Sequence, residues 1–257
     1  MRSIWTGAIG FGLVNIPIKM YSAVQDSELN LDMLDKKDKA PIHFKRVNEH
    51  TGKEVKWDNI VKAYDYEGKY VVLDDEDFEN AMPEKTKRVE IFQFVKEEEI
   101  DSIYYETPYF LEPDKEGEKM YVLMREALER SKMVGVGSFV LRNKEHLVVM
   151  KPYKNAIMLQ SIRFQEEVRD TKDLDIPKEE SVKASELKMA MALIEQMAEP
   201  FNISAYRDTY TDKLMEVIKA KAEGIKLPRP KMTVVTEPTT DIMAQLKASL
   251  SKRKKAS

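Results

Sequence analysis

Apolar and polar positions alternate at the start of the chain. Ile4, Thr6 and Ala8 fall at period-two spacing, glycines stand at 7, 10 and 12, and a proline stands at 17. Residues 3–23, SIWTGAIGFGLVNIPIKMYSA, therefore predict a curved strand pair with close backbone approach. Gly10, Gly12, Asn15 and Pro17 interrupt the run well short of the ~20 apolar residues that span a membrane. Only Arg2 offers the basic flank of a secretory signal. Further β-rich runs lie at Tyr70–Leu73, Val89–Phe94, Val136–Leu141, Leu147–Met150 and Ala156–Ile162, separated by turn-like Glu67-Gly68-Lys69 and Asn143-Lys144-Glu145. That spacing suggests a barrel or a sandwich.

Helical spacing appears at Lys119–Arg130, where Met120, Leu123, Met124, Ala127 and Leu128 share a face, and a shorter helix is predicted over Asp74–Met82. After Asp170 the character changes. Thr171–Ser185 is charged, contains Pro177 and looks like a connection, and Ser185 followed by Glu186 looks like a helix start. One stripe then runs through Leu187, Ala190, Met191, Ile194 and Met197 and ends before Pro200, and a second runs through Leu214, Val217, Ile218 and Lys221 to a stop at Gly224. Taken alone, two such methionine-rich faces are expected to pack on the preceding β core. Beyond them, Leu227–Lys231 and Thr236–Thr240 read as an extended linker. Asp241–Leu250 suits a short amphipathic helix through Ile242, Leu246 and Leu250, and Ser251–Ser257 is a basic tail. The expected class is mainly β with α appendages. The expected division is 1–170 for the core, 171–224 for a helical arm and 225–257 for linker and tail.

With 257 residues, a charged fraction of 34% and mean hydropathy of −0.50, the chain can bury a substantial core and reads as water-soluble. It has no cysteine, which removes disulfides, thiolate metal sites and a cysteine nucleophile and agrees with a reducing cytoplasm. Three histidines, at 43, 50 and 146, leave little material for metal or triad chemistry.

The net charge of −3 argues against a nucleic-acid partner, but its distribution reverses that argument. Residues 65–118 carry six Lys and Arg against eighteen Asp and Glu, whereas residues 119–164 carry nine against three. Residues 247–257 add five positive charges and no negative one. Screening confines exposed charges to about 8 Å at physiological salt, so an acidic outer wall need not repel a polyanion held on a basic surface. The acidic runs Asp74–Asp77 and Glu97–Glu99 hold neighbours that point in alternate directions, so they read as solvated surface rather than as a metal-dependent nuclease site. Gly10-Phe11-Gly12 lacks the third glycine of a dinucleotide fingerprint, and no phosphate-binding loop motif occurs, so nucleotide hydrolysis has no support.

Several blocks carry a family resemblance. Ser3–Gly7 and Ile9–Lys19, then Lys45-Arg46-Val47, Tyr64–Leu73, Phe110–Asp114, Leu141–Lys144 and Glu186–Ala190 resemble, in order and spacing, motifs of the bacterial Ku family, the homodimeric DNA-end-binding proteins of nonhomologous end joining. The resemblance runs from about residue 2 to about residue 224. It implies a Ku-type β-barrel core with a C-terminal helical arm that packs on the other protomer, and a homodimeric ring around duplex DNA. It also implies recruitment of an ATP-dependent DNA ligase, a cytoplasmic, nucleoid-associated location, and no catalytic residue or cofactor. Many relatives carry a Cys-x-x-Cys pair where this chain reads Arg46–Lys53. Tetrahedral zinc needs about four ligands, so a metal-free turn is expected at Thr51-Gly52.

The cations expected to meet phosphate are Lys36, Lys37, Lys45, Arg46 and Lys53 from the first third, Arg142, Lys144, Lys151 and Lys154 from the later strands, and Lys252, Arg253, Lys254 and Lys255 from the tail. Phosphate contacts of this kind carry no base information. Neither C-terminal helix has the concentrated Arg and Asn face that major-groove readout favours. The rival expectations are an architectural DNA-coating protein without end preference and a metal-dependent nuclease.

Overall fold

The computed structural model describes residues 1–81, 87–142, 144–177, 182–225 and 245–246. The chain divides into two compact units, Met1–Asp26 with Asn30–Asp170, and Ser27–Leu29 with Thr171–Ser257.

In the first unit, seven strands close into a barrel. They are β1 (Trp5–Phe11), β2 (Val14–Ser22), β5 (Arg88–Lys96), β6 (Tyr105–Pro113), β7 (Met133–Leu141), β8 (Lys144–Tyr153) and β9 (Ala156–Ile162). Their order is β1-β2-β6-β9-β8-β7-β5. Closure is made by the parallel pairing of β1 with β5 at Ile9↔Val89, and the remaining neighbours are antiparallel. A closed sheet has no free edge. Inside it lie Ile9, Ile16, Ile18, Met20, Val89, Ile91, Leu111, Phe139, Val148, Met150, Ile157 and Leu159, all buried in one cluster. Trp5 and Phe139 meet edge to face at 5.7 Å.

The opening pair is present as β1 and β2, and of the period-two set Ile4, Thr6 and Ala8 only Ala8 is buried. Trp5, Ile9 and Phe11 pack into the barrel, whereas Ile4 and Thr6 are exposed. The larger side chains win the interior, and alternation sends their neighbours outward. Gly137 serves close approach, because a Cβ there would collide with the Glu90 carbonyl across the β5–β7 pair.

The helix α2 (Glu118–Ser131) leaves β6 and returns to β7 at the same end of the barrel, and it closes that end. Its Tyr121, Met124 and Leu128 join the barrel cluster. The Tyr121 hydroxyl donates to the Leu111 carbonyl at 2.6 Å and accepts the Ile157 amide at 2.7 Å. It thereby bridges β6 and β9 where Leu111 and Ile157 face each other.

Between β2 and β5 the chain leaves the barrel wall and makes a separate two-stranded ribbon, β3 (Lys62–Tyr66) with β4 (Lys69–Leu73), followed by α1 (Asp75–Asn80). The turn between them is Glu67-Gly68, with φ of +51° and +81°, the left-handed pair that suits a two-residue hairpin. Asp74 and Asp77 cap α1 reciprocally, each side chain accepting the other's backbone N–H at 3.0 Å. The later turn differs from expectation. β7 ends at Leu141 and pairs with Lys144, so Lys144 and Glu145 are strand residues rather than turn residues.

In the second unit, α3 (Ala184–Met197) starts one residue before the expected Ser185, and α4 (Thr209–Ala222) is capped by Asp208. The Asp208 carboxylate accepts the Tyr210 and Thr211 amides and the Thr211 hydroxyl, and those bonds hold its pKa below the usual value. Gly224, at φ +76°, follows α4 as expected. The α3 stripe is open to solvent at Leu187, Met191, Ile194 and Met197. The expected helix over Asp241–Leu250 and the basic tail lie outside the described residues except at 245–246. Among the described residues no helix is long and apolar enough to cross a membrane.

Candidate nucleic-acid interface

Among the described residues, the expected cations fall on four stretches of the chain. Lys36 and Lys37 lie in a tight turn closed by the Asp35 amide donating to the Ala40 carbonyl, with the Lys37 amide donating to Asp35 Oδ1. Both are exposed. Lys45, Arg46 and Lys53 lie on a small hairpin in which Val47 faces Glu54.

That hairpin turns where the sequence predicted. Asn48 Oδ1 accepts the His50 and Thr51 amides at 3.0 Å each, the Gly52 amide donates to the Asn48 carbonyl, and Gly52 takes φ +65°. Lys45 pairs with Glu54 at 2.7 Å, and that hydrogen bond raises the lysine's pKa. Arg46 lies over the Trp57 ring, 4.5 Å from its centroid. Among the described residues no three His, Asp or Glu side chains are grouped as a metal site.

The later four cations do not form one cluster. Arg142 and Lys144 sit at the β7–β8 hairpin end, and Lys154 sits in the β8–β9 turn. The ten residues of β8, at about 3.3 Å each, put the two turns about 30 Å apart at opposite barrel ends. Lys144 approaches Glu167 at 3.7 Å. Lys151 is committed to the barrel: it pairs with Glu97, lies over the Tyr105 ring at 4.8 Å, and is 17% exposed. Lys154 lies over the Tyr153 ring, and its backbone takes φ +53°. Lys252, Arg253, Lys254 and Lys255 lie outside the described residues.

Neither acidic run converges on a point. Asp74 and Asp77 are engaged in the α1 cap. Glu97 holds Lys151, Glu98 approaches Lys96, and Glu99 accepts the Lys96 amide. Trp57 is absent from the expected set although it is 67% exposed beside Arg46. The signal for it in the sequence is the alternation Lys53, Val55, Trp57, which the hairpin sets opposite Arg46 and Asn48.

On the barrel's outer side, Val134, Val149 and Ile162 form a second buried cluster, with Val95, Ile100, Tyr104, Tyr105 and Leu147 packed against it. His146 packs against Phe139 with tilted rings 5.6 Å apart, and burial pushes its pKa down, helped by the neighbouring Lys144.

Comparison with known proteins agrees with this architecture. Residues 10–191 match the family model described as the Ku70/Ku80 beta-barrel domain. The chain is similar to proteins named non-homologous end joining protein Ku. One from Coxiella burnetii is 37% identical over 99% of this chain and 96% of its own length. One from Opitutus terrae is 42% identical over 87% and 81%, and one from Archaeoglobus fulgidus is 38% identical over 97% and 98%. The closed barrel, the motif order and the matched span converge, and the chain belongs to the Ku family.

Proposed function

We propose that this chain binds the ends of double-stranded DNA without sequence preference, as a ring-shaped homodimer that protects and bridges breaks in nonhomologous end joining. Family membership over residues 10–191 is the observation that carries this reading. The exposed apolar stripe of α3 supports the dimer, because a face of that kind gains stability when a second surface covers it. A ring loads only where a duplex ends, and phosphate contacts then let it move inward. The mechanism asks no residue for catalysis and needs no cofactor or metal.

Its DNA contacts are assigned to the exposed cations Lys36, Lys37, Arg46, Lys53, Arg142 and Lys154, with Lys45, Lys144 and Lys151 held by carboxylates in the free protein. The tail cations Lys252–Lys255 add non-specific affinity. Residues 171–224 act as the dimer arm, an ATP-dependent DNA ligase docks on the arm and its extension, and the protein works in the cytoplasm on the nucleoid.

Gel-shift titration against linear and covalently closed DNA of equal sequence tests the ring. Strong preference for the linear form is expected. Equal affinity removes the ring and favours an architectural coat, and turnover of either DNA with magnesium or manganese would point to a nuclease instead.

A further inference from the structure

The small hairpin after β2 presents two chemically different faces. Its ladder sets Arg46 opposite Val55, Val47 opposite Glu54 and Asn48 opposite Lys53. Lys45 and Glu54 neutralise each other on one face. On the other, Arg46 and Lys53 accompany Trp57, no ladder position is acidic, and no carboxylate pairs with either cation among the described residues. The Arg46 guanidinium covers one side of the indole at 4.5 Å, while the Trp57 residue as a whole remains 67% exposed. The second side of the ring is therefore open.

An exposed, cation-backed aromatic plane with an unpaired lysine farther along the same face is the chemistry that takes a nucleobase and a nearby phosphate together. Within a duplex both faces of a base are already stacked, so only an unpaired base offers a free face to such a plane. We propose that Trp57, backed by Arg46 and with Lys53 farther along the same hairpin face, stacks an unpaired base of a single-stranded overhang at a DNA end. The inference rests on the end-binding reading above. It adds discrimination between overhanging and blunt ends to a surface that otherwise reads only phosphate.

The test uses the full chain and three linear duplexes: blunt, with a short thymidine overhang, and with an abasic overhang of equal length and charge. The thymidine overhang should bind about five- to tenfold tighter than the abasic one, the size expected for one aromatic stack. It should also quench indole fluorescence more strongly, since the other tryptophan, Trp5, is packed against the barrel core. Trp57→Ala should erase both differences and leave blunt-duplex affinity unchanged, and Trp57→Phe should retain most of the preference. Equal binding of base-bearing and abasic overhangs by the unaltered chain, with the blunt duplex still bound, would overturn the stacking site alone. Failure to bind any linear duplex would overturn both this inference and the end-binding reading.

Discussion

The barrel wall and the segment that interrupts it between β2 and β5 are built from similar residues, yet they treat apolar side chains in opposite ways. In the barrel, alternate positions of each strand point into a closed interior, and nine side chains there have essentially no contact with solvent. Between Ser22 and Arg88 no described residue is buried, although Trp57, Tyr64, Tyr66, Tyr70, Val71 and Val72 lie there. The difference is one of closure rather than composition. A seven-stranded sheet that closes on itself covers its own inner face, whereas a two-stranded ribbon has two faces and nothing to cover either. The barrel therefore carries the stability of the unit, and the inserted segment is left available for partners.

Phe139→Ala should give the largest effect, because the side chain is 2% exposed and touches both Trp5 and Tyr109. A loss of about 3–5 kcal/mol is expected in urea unfolding. A much smaller loss would mean that the barrel interior is not the main source of stability.

Tyr121→Phe comes next. It keeps the ring but strips the bridge between Leu111 and Ile157, for an expected cost of about 1–3 kcal/mol. Burial raises the pKa of this phenol above 10.0. The stability it contributes is thus complete below pH 10.0 and lost as the pH rises through the higher folded value. Thermal melts on the alkaline side should show that loss in the unaltered chain and a weaker one in the variant.

His146 gives the opposite sign. Its folded pKa lies below the ordinary 6.5, so its contribution is present above 6.5 and lost as the pH falls through the depressed value. His146→Gln should flatten the acid limb of the melting curve modestly. An unchanged limb would show that protonation there does not oppose folding.

The smallest effect is expected in the ribbon. Tyr70 is 78% exposed, and Tyr70→Ser should move stability by no more than about 0.5 kcal/mol. If it lowered the melting temperature as Phe139→Ala does, the contrast between barrel and ribbon would fail.

Much of this architecture was legible along the chain. The runs at Val89–Phe94, Val136–Leu141, Leu147–Met150 and Ala156–Ile162 each sit inside a strand, and the helix expected over Lys119–Arg130 is α2 to within a residue at each end. The candidate site was less legible. Arg142 and Lys154 are twelve positions apart in sequence and invite grouping, but one strand length separates their turns. Lys151 gave no sign that Glu97, fifty-four residues away, would hold it. Trp57 has its partner Arg46 across a hairpin rather than beside it in sequence, so no adjacent pair marks it.

The sequence alone determined the elements and the family, because side-chain alternation, turn residues and motif order are local properties that survive without knowledge of the partner strands. Only the tertiary structure decided which parity of β1 faces inward, which cations are already neutralised, and which aromatic ring stands free beside them. Those depend on register and barrel closure, which bring distant residues to hydrogen-bonding distance and which no local pattern encodes.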